Sequence, residues 1–508
     1  MISRRGLHRC CLALAILLAC GGMESRAFQG DARRPVVRVG AKKFTEGAIT
    51  GEVAARLVED AGFEVVRRSN LVTNVLWNAL LAGEIDIYPE YTGTLLQEVL
   101  AGRQLGTVDA LRAHLETQGV RMSAPLGFDN NYALGMKRAV AERLAIRSVS
   151  DLTAHPALKL GFANEFLQRA DGWPGLRQAY RLPHEKVIGL EHSLAYRALN
   201  DGAIDVTDLY TTDAEIEAFD LVALRDEREY FPRYQAVWLY RIELEKTAPA
   251  AIQALGRVEG RIDPAAMTRM NKRRSLDGVP ESEVAAAFLE ETLGLRTARR
   301  SPGLLERVAR RTWEHLVLVA LSLFAAILFA IPCGLLAARR PTIGRAILGV
   351  VGVAQTIPSL VLLVLMIPLF GVGAPPAIAA LFLYSLLPIV QNTHAGLVGI
   401  PNDLRESAEA LGLPRMTQLY RIELPMAARS ILAGVKTSAV INVGTATLGG
   451  FIAAGGYGQP IFSGITNNDQ GLMLEGALPA AGLAILLQFL FDLAERWVVP
   501  RGLRLSRP

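Results

Sequence analysis

A chain of 508 residues has room for about three domains at roughly 150 residues each, and with 51% apolar and 20% charged residues it is not a disordered protein. The 54 basic residues exceed the 49 acidic ones by only 5, and they are dispersed, which excludes a nucleic-acid tracker that would gather Lys and Arg on one patch. Three of the four cysteines, Cys10, Cys11 and Cys20, fall in the first twenty residues and the fourth is Cys333. That spacing offers no disulfide framework and no metal site, and no cofactor is expected.

Arg4, Arg5, His8 and Arg9 precede a short apolar run, residues 10–20, and then Ser25-Arg26-Ala27, a small-x-small cleavage pattern. Residues 1–27 therefore read as a secretory signal, because the run is well short of the ~20 apolar residues that cross a ~30 Å hydrocarbon layer. Leu17-Leu18-Ala19-Cys20 leaves a lipidated start as the alternative. Either start puts the next segment outside the cytoplasm.

Residues 36–295 mix short apolar runs, such as Val36-Val37-Arg38-Val39 and Phe63-Glu64-Val65-Val66, with helical patterns. This alternation predicts α/β units on a largely parallel sheet. The helical pattern over 46–60 starts beside Thr45, a predicted N-cap, and follows a strand directly, which places its N-terminus at the sheet edge where α/β proteins bind ligands.

Residues 296–315 read as a basic connector with Arg299, Arg300, Arg307, Arg310 and Arg311, and residues 316–498 as an all-α membrane domain. Residues 316–338 carry no Asp, Glu, Lys or Arg, and neither do residues 346–402, where two spans fit around a break at 371–376. Further spans at 431–453 and 473–494 bring the expected number to five. Arg339, Arg340 and Arg345, then Arg405, Arg415, Arg421 and Arg429, then Arg496, Arg501, Arg504 and Arg507 mark the cytoplasmic segments, whereas 371–376 and 454–472 hold no Lys or Arg. His315 and His394 fall near span ends and read as interfacial.

Between the third and fourth spans lie Glu406-Ser407-Ala408, then Gly412, then Ile422-Glu423-Leu424-Pro425. This spacing resembles the EAA loop of ABC importer permeases, with Ser407 in place of the first Ala. Glu406, Ser407, Ala408, Gly412, Ile422, Leu424 and Pro425 would then form a cytoplasmic helix pair that docks on an ATPase. Gly permits the turn between the helices. Gln355-Thr356-Ile357-Pro358-Ser359 and Tyr384-Ser385-Leu386-Leu387-Pro388 resemble permeases for glycine betaine, choline and related solutes, with Pro358 and Pro388 as helix breakers inside the membrane. No G-x-x-x-x-G-K-[ST] phosphate loop occurs, so the ATPase is expected to be a separate protein.

Residues 36–295 in turn resemble the binding proteins of the same osmoprotectant importers. The resemblance rests on Lys43-Phe44-Thr45-Glu46, on the run 83–94 ending in Tyr88-Pro89-Glu90-Tyr91-Thr92-Gly93-Thr94, which is the most specific, on Gly127-Phe128-Asp129-Asn130-Asn131-Tyr132-Ala133, on Asp171-Gly172-Trp173-Pro174-Gly175-Leu176, on Asp208-Leu209-Tyr210-Thr211-Thr212-Asp213 and on Phe231-Pro232-Arg233-Tyr234. It implies a two-lobed, type II-like binding domain of the periplasmic kind, fused to its permease in the bacterial inner membrane. It also implies Tyr91, Tyr132, Tyr210 and Tyr234 as a cage for a quaternary ammonium, with Thr94 and Asn130 holding the ligand's polar end. A quaternary ammonium has no N–H to donate, so aromatic faces suit it. Gly47, Leu71-Val72 and Ala214 depart from the family, which leaves the solute open among glycine betaine, choline and similar cations or zwitterions. Tyr88 points either to the site or into the sheet core.

The strings near residues 127–132 and 210–234 are expected close to the crossings between lobes, and the resemblance, since five spans form half a translocation unit in that family, implies a homodimer enclosing the pathway. A ligand-binding sensor or ligand-gated channel is the rival reading, but it predicts no such coupling loop. The seven histidines and Cys333 form no reactive constellation, so no enzyme and no catalytic residue are expected.

Overall fold

The computed structural model describes residues 35–103, 105, 107–296, 303–466 and 469–499. The signal reading over residues 1–27 lies outside the described residues, as do Arg299, Arg300, Arg501, Arg504 and Arg507.

Strands β1 (Val36–Lys42), β2 (Glu64–Leu71), β3 (Ile87–Tyr91) and β4 (Val120–Met122) belong to a first lobe. The chain then crosses to a second lobe containing β5 (Tyr132–Lys137), β6 (Leu160–Ala163), β7 (Val187–Leu190), β8 (Thr207–Tyr210) and β9 (Leu221–Ala223), and returns through β10 (Ala236–Arg241). The first sheet has the order β2-β1-β3-β10-β4; the second lobe carries β8-β5-β9 and the pair β6-β7.

The predicted parallel sheet is only partly present. β1 runs parallel to β2 and β3, but β10 is antiparallel to both β3 and β4, and β5 is antiparallel to β8 and β9. The double crossing explains this, since a strand that returns from the second lobe enters the first sheet from the opposite end. Asp129 pairs with Gln235 in an antiparallel bridge, so the outgoing and returning crossings lie side by side.

Helix α1 (Thr45–Asp60) follows β1 and buries Ile49, Val53 and Leu57 along one stripe at helical spacing, which fixes its N-terminus at the carboxyl end of β1. Its N-cap is Phe44 rather than Thr45, and no side chain caps it. Helix α2 (Pro264–Ser275) follows the cap of Asp263, whose carboxylate accepts from the Ala266 N–H at 2.6 Å, and packs beside α1. Tyr88 is wholly buried in the lobe core, which decides its orientation.

The second half is helical: α3 (Leu304–Arg339), α4 (Pro341–Thr356), α5 (Ser359–Phe370), α6 (Ala374–Val398), α7 (Asn402–Ala410), α8 (Arg415–Gln418), α9 (Leu424–Ala446), α10 (Gly458–Thr466) and α11 (Gln470–Val498). Among the described residues four helical stretches are long and apolar enough to cross a membrane, and α4 with α5, bent by 100° at a short break, is a broken span or a re-entrant loop, giving four to five candidate spans. The bend falls at Ile357-Pro358, where proline removes a donor and holds the preceding residue extended. The Tyr384 hydroxyl donates to the Ile357 carbonyl freed by the break. Two expectations are corrected here: α3 begins at Leu304, within the stretch read as connector, and His315 is fully buried, 3.0 Å from the Val443 carbonyl, rather than interfacial. An interior imidazole held by a backbone carbonyl needs no water at an interface.

The first lobe rests on the permease. Val372 and Ala453 complete the core cluster of Leu71, Leu76 and Ile85, and Asn70 donates to Ser463 at 2.6 Å.

Candidate functional site

β3 ends at Tyr91 and turns at once into a helical turn, Thr92–Thr94. The turn is seated against the returning crossing by the Thr92 N–H, which donates to the Gln235 carbonyl at 3.0 Å. Gly93 is required there, because a Cβ at that position would stand 2.4 Å from the Tyr234 ring. Tyr234 in turn accepts on its carbonyl from the Asn130 N–H at 3.0 Å. Backbone pairing between the crossings thus brings Tyr91, Asn130 and Tyr234 to one place.

Three of the four tyrosines meet ring on ring. The Tyr132 centroid lies 5.0 Å from Tyr210 and 5.4 Å from Tyr234, with Phe166 at 5.2 Å and Phe231 at 6.0 Å. Tyr91 stands apart, joined through Phe44, whose ring is 6.2 Å from Tyr91 and 5.8 Å from Tyr210. The chain's own cations use these faces: the Arg169 guanidinium lies 5.5 Å from the Tyr132 centroid and Lys42 Nζ lies 5.2 Å from that of Tyr91. Thr94 is buried one turn beyond Tyr91.

Beside the rings a cavity of about 280 Å³ opens between the lobes, lined by Phe44, Glu46, His192, Tyr210, Asp213 and Asn271, and at its permease end by Thr466. Glu46, in the first turn of α1, is its floor. Tyr91 donates to Oε1, Asn130 Nδ2 donates to the same oxygen at 2.9 Å, Thr212 donates to Oε2 and Asn271 Nδ2 lies 3.3 Å from Oε2. Burial pushes the Glu46 carboxyl up to about 7, against the Thr212, Tyr91 and Asn271 donors that favour its charge. Opposite, burial opposes the charge on His192, but the Asp213 and Asp208 carboxylates outweigh it and hold the imidazole well above its ordinary value. His192 Nε2 is 2.9 Å from Asp213, which also accepts from the Tyr196 hydroxyl and from the Tyr210 N–H at 2.9 Å. Asn130 Oδ1 and Asn271 Oδ1 are buried without a partner.

The lobes are pinned to each other around this cavity. Lys43 on the first lobe pairs with Glu165 on the second at 2.8 Å, Glu98 pairs with Arg169, and Thr212 reaches across to Glu46. Such contacts can hold a hinged cleft shut.

At the far end of the molecule, α7 carries Glu406 and Ser407 exposed and Ala408 buried. Gly412 takes φ +67°, the left-handed turn into α8, and Ile422 leads through Leu424 and Pro425 into α9. Glu423 between them holds Arg339 at 3.2 Å. Around Gly412 the large apolar side chains of Leu411, Met416 and Tyr420 are exposed.

Sequence reasoning singled out the tyrosines but not Glu46, His192, Asp213 or Asn271 as lining residues. Glu46, Asp213 and Thr212 stood in the quoted strings; Asn271 lies in a polar helical run with no local signal.

Comparison with known proteins adds the following. The family described as the substrate binding domain of ABC-type glycine betaine transport systems matches residues 35–291, and that of the binding-protein-dependent transport system inner membrane component matches residues 330–503. The choline transport system permease protein OpuBB of Bacillus subtilis is 39% identical over 194 residues, covering 38% of this chain and 89% of that protein. The osmoprotectant import permease protein OsmW of Salmonella typhimurium is 40% identical over 202 residues, covering 39% and 94%. A crystal structure described as a glycine betaine/carnitine/choline ABC transporter is 27% identical, covering 50% of this chain and 98% of that one, with a TM-score of 0.44.

Proposed function

Because the chain belongs to the family of substrate-binding domains of ABC-type glycine betaine transport systems, joined in one polypeptide to a binding-protein-dependent permease, we propose that it captures a quaternary-ammonium or zwitterionic solute between its lobes and passes it through its own helices. It is an osmoprotectant ABC importer component and an integral membrane protein, and it works with a separate ATPase subunit.

The observation that carries the binding step is the convergence of Tyr132, Tyr210 and Tyr234 with Asn130 at the paired crossings. Opening the hinge would part Phe44 of the first lobe from Tyr210 of the second, whose centroids lie 5.8 Å apart, and uncover the Tyr210 face, while Tyr132 and Tyr210 stay together on paired strands of one lobe. Each exposed face would then contribute ~0.5 to 2 kcal/mol to a cationic head. Thr94 and Asn130 would hold the polar end through uncharged donors, and Tyr91 would complete the cage. Solute would displace Arg169 and Lys42 from the faces they occupy.

The binding domain would lie outside the cytoplasm, on the side of the stretches 371–376 and 454–472, which it touches through Val372 and Ser463, with Ala453 beside them at the end of the fourth span. The opposite end, around Glu406 to Pro425 in sequence, would dock on the ATPase. Exposed Leu411, Met416 and Tyr420 supply the apolar contact that such docking needs. Two copies would pair to enclose the pathway.

Calorimetry of the full chain in lipid nanodiscs, against glycine betaine, choline and carnitine, tests the site. Tyr132→Ala and Tyr210→Ala should each weaken binding by about tenfold, one cation–π contact at the desolvated end of the range. Unchanged affinity in both variants refutes the cage.

A further inference from the structure

The membrane half holds an ion pair that neither the capture site nor the coupling loop uses. Lys436 Nζ on α9 lies 2.6 Å from Asp492 Oδ1 on α11, with the two side chains 29% and 40% exposed. Lys436 is the only Lys, Arg, Asp or Glu between residues 430 and 446, and no such residue occurs between 476 and 491. At 1.5 Å per residue, Lys436 stands ~8 Å and Asp492 ~3 Å inside the cytoplasmic ends of the spans read at residues 431–453 and 473–494. A second pair, Arg429 with Glu495 at 3.2 Å, lies nearer the same membrane face.

Charges inside spans are costly unless they face a bundle interior or water, and where they occur they mark ion and solute paths. Here the pair faces neither core: beside Lys436 on α9, Ala433 and Thr437 are exposed, and so are Phe489 and Leu493 around Asp492. A solute with a fixed charge cannot cross hydrocarbon, so an importer must offer it a wet lane. An ammonium beside a carboxylate is the complement of a zwitterion, which carries the same two charges in one molecule.

Resting on the importer reading above, we propose that Lys436 and Asp492 line the translocation path and hold the solute in transit, Asp492 taking its quaternary ammonium and Lys436 its carboxylate. The alternative, a clamp that fastens α11 to α9, makes a different demand, because a neutral hydrogen-bonded pair would fasten the helices as well.

The test uses the full chain with its ATPase subunit in liposomes, following ATP-dependent uptake of a zwitterion (glycine betaine) and a cation (choline). Lys436→Gln should raise KM for glycine betaine about tenfold while choline uptake stays within about twofold, since only the zwitterion loses a charged partner. Lys436→Gln with Asp492→Asn should lower uptake of both. Native uptake in the double variant, or equal losses for both solutes in Lys436→Gln, overturns the proposal in favour of the clamp. Should Lys436→Gln fail to assemble, Lys436→Arg keeps the charge and should keep the native preference, and a lost preference in a well-assembled Lys436→Arg counts against it. If the native protein shows no ATP-dependent uptake of either solute, the importer reading itself fails, which is a separate result.

Discussion

Glu46 sits where Tyr91 and Asn271 of the first lobe, Asn130 of a crossing and Thr212 of the second lobe deliver four donors to one carboxylate. In sequence it closes the string Lys43-Phe44-Thr45-Glu46 at a helix start expected on the ligand-binding edge of the sheet, but no role of its own could be read for it. Only the fold shows that this turn is an interlobe floor. Its raised pKa fixes the sign of a pH effect. The closed form binds a proton up to about pH 7, whereas a Glu46 exposed by opening titrates near 4.5. Between those values the open form holds fewer protons, so closure is progressively disfavoured as pH rises through the window. The whole effect is on the order of 3 kcal/mol. Fluorescence transfer between dyes on the two lobes should therefore report less closed form at pH 8 than at pH 5, and Glu46→Gln should flatten the profile. A native profile without slope in this window would show that Glu46 stays buried when the lobes part.

Among the elements, the spans were legible in outline because hydrocarbon demands long uncharged runs, and so was the break at Pro358, where proline cannot donate, but Pro388, expected to break a helix in the same way, lies inside unbroken α6. The antiparallel return of β10 was not legible, since pairing direction depends on where the chain comes back, not on the strand's own residues. Two glycines show how a motif letter acquires a reason. Gly93 lies under Tyr234, so Gly93→Ala should push that ring away and weaken solute binding by about tenfold, an overpacking cost of roughly 1 to 3 kcal/mol read by calorimetry. Gly412 has open space around it but φ +67°, so its constraint is backbone alone. Gly412→Val, β-branched in a left-handed turn, should cost on the order of 1 to 3 kcal/mol locally. Solute binding should stay native while solute-stimulated ATP hydrolysis falls; native hydrolysis would mean that the turn between α7 and α8 is not part of the coupling surface.

For the molecule as a whole, the fusion changes the concentration at which capture and passage meet. A free binding protein reaches its permease by diffusion, but a tethered one is present at an effective concentration near millimolar, set by the length of the connector. The first lobe is seated on the permease by Ile367, Val372 and Ala453 against the lobe core and by Asn70 with Ser463, among other contacts. A protease site inserted between residues 296 and 303 separates the two effects, because cutting it leaves both domains intact. Cleavage in proteoliposomes, followed by dilution until the released domain is below micromolar, should reduce ATP-dependent uptake at subsaturating solute by a hundredfold or more, on the order of the ratio of the two concentrations. Adding the released domain back at high concentration should restore it. Uptake that survives dilution would show that the seat at Val372 and Ala453 holds without the connector, and solute would then leave a binding domain that never undocks.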